Sequence, residues 1–269
     1  MWNLIQAEWL KLRRCQILLV GIVALAVCPV VQYGTQLMLA PEYRDLNYDF
    51  RHLFANVIWG NSQVFLPISL VMIGGWFIDR ETTHDTLKNI ITVPVSMSKL
   101  LGAKLVITGM LSVVFGVYSV GVTLLTGGIV GLKGLTPGMM LTSGGQVVAA
   151  SFMTYLVCMP MILIFGQMRG GYLGGSIFTF FLGYSMLFFK SGLLLSAYPF
   201  SAALILTGFD MTEYNGASSP PDYLLAAAGI GFVILAAVLL LGASDRQREM
   251  KPLRRKKRKG SRRGVRGRR

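Results

Sequence analysis

Six apolar runs alternate with short polar segments along this chain, at roughly 16–39, 57–78, 103–131, 144–166, 171–189 and 223–242. None has Asp, Glu, Lys or Arg in its central part. About 20 consecutive apolar residues cross the hydrocarbon core of a bilayer. The pattern therefore predicts an all-α polytopic membrane protein with six transmembrane helices. The third run is long enough to tilt or break. Ahead of the first run, Trp2, Ile5, Trp9 and Leu12 recur at helical spacing between Asn3, Gln6, Glu8, Lys11, Arg13 and Arg14. That arrangement predicts an amphipathic helix over 1–15 lying in the interface, with its indoles at headgroup depth and its cations toward lipid phosphate.

The polar segments are unequal. Residues 79–102 form the longest interior stretch dense in charge. Thr82-Thr83-His84-Asp85 offers a helix start with an acid three residues on, and Leu87, Ile90 and Ile91 follow as an apolar stripe at i, i+3, i+4. Pro94 stops that helix, because the residue before a proline is pushed out of the α region. Ser96 can then cap a second helix running through Lys99 into the third span. A short helix across the mouth of the bundle, joined to two spans, is a mechanical element. Residues 40–56 predict an external loop of mixed charge, and 190–222 a re-entrant or interfacial region on the outer side, since backbone at membrane depth needs cover by protein or water. Gly166, Gly170 and Gly174, with Gly171 and Gly175, repeat at intervals of four, which permits close helix approach. Packing within one subunit and a dimer seam explain this equally well.

Charge settles the orientation. The net charge of +14 is concentrated at the end of the chain: residues 243–269 hold 14 of the 26 Lys and Arg and 2 of the 12 acids. This basic tail is disordered by composition, and anionic inner-leaflet lipid is its expected contact; no folded module for a specific nucleic acid accompanies it. Setting the tail aside, Lys11, Arg13, Arg14, Arg80, Lys88, Lys99, Lys104 and Arg169 lie on one side, against Arg44, Arg51, Lys133 and Lys190 on the other. The first side is the cytoplasm by the positive-inside rule, so both termini are cytoplasmic and 79–102 enters the cytosol. The chain divides into 1–15 (interfacial helix), 16–242 (six-span domain) and 243–269 (tail). A mean hydropathy of +0.57 fits no soluble domain. Cys15, Cys28 and Cys158 have no CxxC spacing and read as small hydrophobes. The apolar run after Arg14 is expected to stay uncleaved, given a bulky Val27 before Cys28.

Little chemistry is on offer. His52 and His84 fall on opposite sides of the predicted membrane, and no His-Glu-x-x-His or Gly-x-Ser-x-Gly run occurs. The spans offer amides and hydroxyls, such as Gln32, Gln63, Gln146 and Thr123, rather than the intramembrane acids of proton relays. Gln32 and Gln63 are expected to make interhelical hydrogen bonds. An ion-coupled carrier, a membrane enzyme and a non-transporting accessory subunit are therefore poorer readings than an energised permease.

Glu81, then Asp85-Thr86-Leu87-Lys88-Asn89-Ile90-Ile91, then Pro94-Val95-Ser96, then Lys99-Leu100-Leu101 and Lys104 resemble the cytoplasmic loop of ABC transporter type-2 permeases. Asp85 stands where that family usually has glycine, and Met97 where a basic residue often follows the serine. With the N-terminal helix and six spans, the chain is most similar to the small permeases of lantibiotic-immunity and bacitracin-resistance exporters. The resemblance implies a permease in the bacterial plasma membrane that exports or expels an amphipathic substrate such as a peptide antibiotic; export of a lipid or another small molecule is the alternative. It implies that the chain is no enzyme and binds no cofactor. ATP and Mg²⁺ would belong to separate cytoplasmic ABC ATPase subunits, consistent with the lack of a G-x-x-x-x-G-K-[ST] run. Other implied partners are a second permease copy or paralogue, membrane lipid and a small accessory membrane protein. ATPase coupling would fall to Glu81, Asp85, Leu87, Lys88, Ile90, Ile91 and Pro94.

Overall fold

The computed structural model describes residues 6, 8, 9, 15–43, 45, 47–83, 96–190, 192–215 and 220–249. Every regular element among them is helical. In chain order they are α1 (Leu18–Met38), α2 (Phe50–Gly60), a π-helical turn (Asn61–Phe65), α3 (Leu66–Thr83), α4 (Met97–Val130), α5 (Pro137–Gly166), α6 (Gly171–Tyr184), α7 (Gly192–Ala197), α8 (Pro199–Leu206), α9 (Thr212–Asn215) and α10 (Tyr223–Glu249). Short 3₁₀ turns at Pro41–Tyr43 and Ser185–Phe188 complete the set. Six helical segments are long and apolar enough to cross a membrane, α2, the π turn and α3 together forming the second.

That second span is the axis of the bundle. Its most apolar window is 78% buried, against 22% for the first and the last spans. α3 packs on both α5 and α6, α4 packs along α5, and α1 lies against α4. Phe54, Leu70, Val71 and Ile73 of the second span meet Ile107 of α4 and Ile162 and Leu163 of α5 in one core cluster. α1 and α10 instead present Leu19, Val23, Val30, Leu224, Phe232 and Leu239 outward, as helices facing acyl chains do.

Several boundaries differ from the sequence reading: the fourth span starts at Pro137 rather than near 144, and the last helix continues to Glu249 rather than ending near 242. The second span begins at Phe50 rather than near residue 57, inside the expected 40–56 loop. Asp49, in extended conformation, caps the helix by accepting from the His52 backbone N–H at 3.1 Å. Phe50, Leu53, Phe54 and Val57 then form the buried stripe. Nor does a helix start at Thr82: both threonines continue α3, which ends at Thr83. The third span does not break, and its 34 residues reach about 50 Å at 1.5 Å per residue, well beyond a ~30 Å core. Ser96 occupies the N-cap position of α4, but its hydroxyl meets Ser98 Oγ at 3.3 Å instead of a backbone N–H. Between the fifth and sixth spans, α7 and α8 put Leu195, Phe200, Ala202, Leu204 and Ile205 into the core.

Glycine permits the closest contacts. A Cβ on Gly166 would stand 2.9 Å from Ile78 Cβ and 3.1 Å from Gly75 Cα, so the backbones of α3 and α5 touch. Gly171 and Gly175 pack on Phe165 in the same subunit, whereas Gly174 faces open space. The small-residue pattern is thus used largely for internal packing. Gln63 does not make the expected interhelical bond: its Nε2 is buried with no hydrogen-bond partner. Neighbouring Asn61 does, donating to Ser119 Oγ of α4 at 2.9 Å.

The Asp49 carboxyl is drawn upward by partial burial, but the His52 backbone and imidazole bonds outweigh this and hold it below its ordinary value. A depressed folded-state value makes its contribution complete above the unfolded carboxyl range near pH ~4, and lost as pH falls through the folded value. Thermal midpoints in detergent should therefore fall on acidification below about pH 4, and the fall should be shallower for Asp49→Asn, which keeps the capping oxygen but does not titrate.

Candidate functional site

Asp85, Leu87, Lys88, Ile90, Ile91 and Pro94 of the expected coupling hairpin lie outside the described residues, as do Trp2, Ile5 and Leu12 of the N-terminal helix. Glu81 falls on the last turn of α3. Gln6, Glu8 and Trp9 are helical, and Trp9 is exposed. The structure does describe the residues on either side of that segment, where the end of α3 and the start of α4 form a polar socket.

Lys104, two turns into α4, is the centre of that socket. Its Nζ donates to Glu8 Oε2 at 3.0 Å and to the Phe77 carbonyl of α3 at 2.7 Å. Lys104 and Glu8 are only 4% and 8% exposed, so each charge depends on the other for its solvation. Three segments distant in sequence meet at one ammonium: the N-terminal helix, the end of the second span and the start of the third. Sequence reading placed Glu8 among the polar positions of an interfacial helix; it is instead turned inward as the counterion of Lys104.

The next residues of α3 extend the junction. Asp79 is buried, and its Oδ1 accepts from the Gly170 backbone N–H at 3.2 Å. Gly170 has φ +67° and precedes α6, a left-handed position that suits glycine. Asp79 thereby fixes the turn between α5 and α6. The Arg80 guanidinium lies 5.4 Å above the Trp76 ring and reaches Cys15 Sγ at 3.4 Å, just ahead of α1. Within one and a half turns, α3 bonds to Lys104 of α4, to Cys15 just ahead of α1 and to the α5–α6 turn. The end of α3 is thus tied to α4 through Phe77 and Lys104, to Glu8 through Lys104, and to the α5–α6 turn through Asp79.

The sequence carried only part of this: Lys104 stands at the start of an apolar run, where a buried cation needs a counterion, and Glu8 is the only acid before Glu42, but nothing local says that the two meet.

The family described as ABC-2 family transporter protein matches residues 4–186, a range that contains Glu8, Phe77, Asp79, Lys104 and Gly170. The chain is also similar to the bacitracin transport permease protein BCRB of Bacillus licheniformis, with 25% identity over 205 residues, 75% of this chain and 91% of the relative.

Proposed function

Because the chain belongs to the ABC-2 family of transporter proteins, we propose that it is the membrane-spanning permease of an ATP-driven exporter whose cargo is an amphipathic, membrane-active peptide of the bacitracin or lantibiotic type. It is a multi-pass protein of the bacterial plasma membrane and an ABC transporter permease. Export of a peptide antibiotic, and the resistance that would follow, is supported by the similarity to a permease named for bacitracin transport.

The observation that carries the coupling role is the Lys104 junction. In the proposed mechanism, two cytoplasmic ATPase subunits, which hold the ATP and Mg²⁺, close on nucleotide and press on residues 84–95 of two permease copies. Glu81 and Asp85 meet basic groups on the ATPase, while Leu87, Ile90 and Ile91 enter its groove as an apolar wedge, with Lys88 on the same coupling segment; Pro94 keeps the helix short. The socket makes the push coherent. α3 and α4 tilt as one unit with the N-terminal helix, whose Trp2, Ile5, Trp9 and Leu12 slide in the interface, and the cleft between permeases opens to a substrate already dissolved in the bilayer.

Co-expression with the cognate ATPase tests this. The doubly substituted Glu81→Ala, Leu87→Ala permease should retain about one tenth or less of the co-purifying ATPase, in line with losing contacts worth ~1–2 kcal/mol at an interface centre. Its own thermal midpoint should not change. Undiminished co-purification would remove the coupling role from this hairpin.

A further inference from the structure

At the opposite end of the bundle from Lys104, the structure holds a second feature that transport coupling does not use. A cavity of about 350 Å³ opens between the start of α2, the first turns of α5 and the segment from Gly208 to Tyr214. Its size falls in the range of small-ligand sites. Its walls are fixed by their own bonds. Gln146 Nε2 donates to the Thr207 carbonyl at 3.1 Å, and Tyr214 Oη donates to Asn56 Oδ1 at 2.8 Å. Phe209, Trp59 and Tyr214 form a three-ring cluster, with centroid distances of 6.3 Å for Phe209–Trp59, 5.4 Å for Phe209–Tyr214 and 5.0 Å for Trp59–Tyr214. Asp210 is set by Thr212, whose backbone N–H and hydroxyl both donate to Oδ1, at 2.9 and 2.7 Å.

Two charges of opposite sign on this lining have no countercharge among the described residues. The Arg51 guanidinium makes no hydrogen bond or ion pair among the described residues, and Asp210 uses only Oδ1, leaving Oδ2 vacant. They do not neutralise each other, although both line the same cavity. His52 and Asp49 are already joined at 2.9 Å. Among the described residues no cluster of three or more His, Cys, Asp or Glu side chains could hold a metal ion, so the free carboxylate is better matched to an organic cation. Phe209 and Tyr214 line the cavity together with Asp210, and an ammonium gains from aromatic faces as well as from a carboxylate. A guanidinium suits a phosphate or carboxylate, which it can grip with two N–H donors.

We propose that this cavity is a binding site for a zwitterion, taking an ammonium at Asp210 against the Phe209 and Tyr214 rings and a phosphate or carboxylate at Arg51. The volume admits a lipid headgroup or a dipeptide-sized group but not a whole amphipathic peptide. The site stands whatever the cargo of the permease.

Isothermal titration of the full chain, purified in a non-ionic maltoside detergent, tests the assignment. The probes are glycerophosphoethanolamine, which carries the headgroup chemistry of a lipid, and diglycine, which carries that of a free peptide. Saturable binding of either supports the site, and the tighter of the two identifies the source. Ethanolamine and glycerol phosphate, each with one of the two charges, should bind at least about tenfold more weakly, as loss of a charge-assisted contact requires. Arg51→Gln and Asp210→Asn should each weaken the zwitterion by a similar factor. Ser143→Trp, which fills the cavity from α5 without removing either charge, should abolish binding while the elution volume and thermal midpoint stay unchanged. Single-charge probes binding as tightly as zwitterions, binding unaltered by the three substitutions, or no heat from either zwitterion would each overturn the proposal.

Discussion

Lys104→Met is expected to destabilise the protein by about 3–5 kcal/mol, the usual cost of removing one member of a buried ion pair. The methionine can fill the volume of the lysine stem, so the loss does not come from a void. It comes from Glu8, left as a carboxylate in a site 8% exposed, and from the Phe77 carbonyl, deprived of its second donor. The N-terminal helix should then leave the bundle, because water is the remaining solvent for Glu8. Size-exclusion-monitored thermal denaturation in detergent reads the first effect, and protease accessibility near Trp9 the second. Glu8→Gln, Lys104→Met together should recover much of the stability, since an apolar or neutral replacement of both partners is often tolerated where removal of one is not. If the single and double substitutions were equally damaging, Lys104 would be acting through something other than this pair.

Gly183→Ala is the second large effect. In α6, a Cβ at Gly183 would collide with the backbone carbonyl oxygen of Gln63 in the π-helical turn and stand 3.3 Å from Pro67 Cγ. Neither obstacle is the movable end of a flexible side chain. Overpacking of this kind costs about 1–3 kcal/mol, expected here at the upper end because backbone must shift. Gly174→Ala on the same helix, where nothing lies within 4 Å, should be silent in the same denaturation assay. A comparable loss at both positions would mean that α6 responds to glycine replacement as such and not to contact with the π turn.

The six spans were legible because a bilayer demands long apolar runs, and no amount of packing detail alters that demand. Their ends were less so. Asp49, Arg51 and His52 look like a loop by polarity, yet Asp49 is a cap and the polar turn it starts sits where an interfacial helix end can keep its charges wet. The π turn at Asn61–Phe65 had no foreseeable mark, since its amides and hydroxyl serve equally well in an α-helix. Thr82 and Thr83 have the residue types of an N-cap, but helical continuity from α3 overrides that preference. Of the socket, Lys104 was visible as a cation at the mouth of a span. Glu8 was not visible as its partner, because periodicity placed it on a face and only tertiary packing turned that face inward. The cavity at Arg51 and Asp210 draws on segments far apart in sequence, and no local pattern announces it.

The Lys104–Glu8 bond joins residues separated by 96 positions, and this has a consequence for biogenesis. Translation at about 5–20 residues per second leaves roughly 5–20 s between the emergence of the two. Throughout that interval the nascent N-terminal helix has no ammonium to dock against. Glu8 is therefore without its counterion until Lys104, at the start of the third span, has been made. Closure of this bond therefore marks the moment at which the first three spans become a single assembled unit.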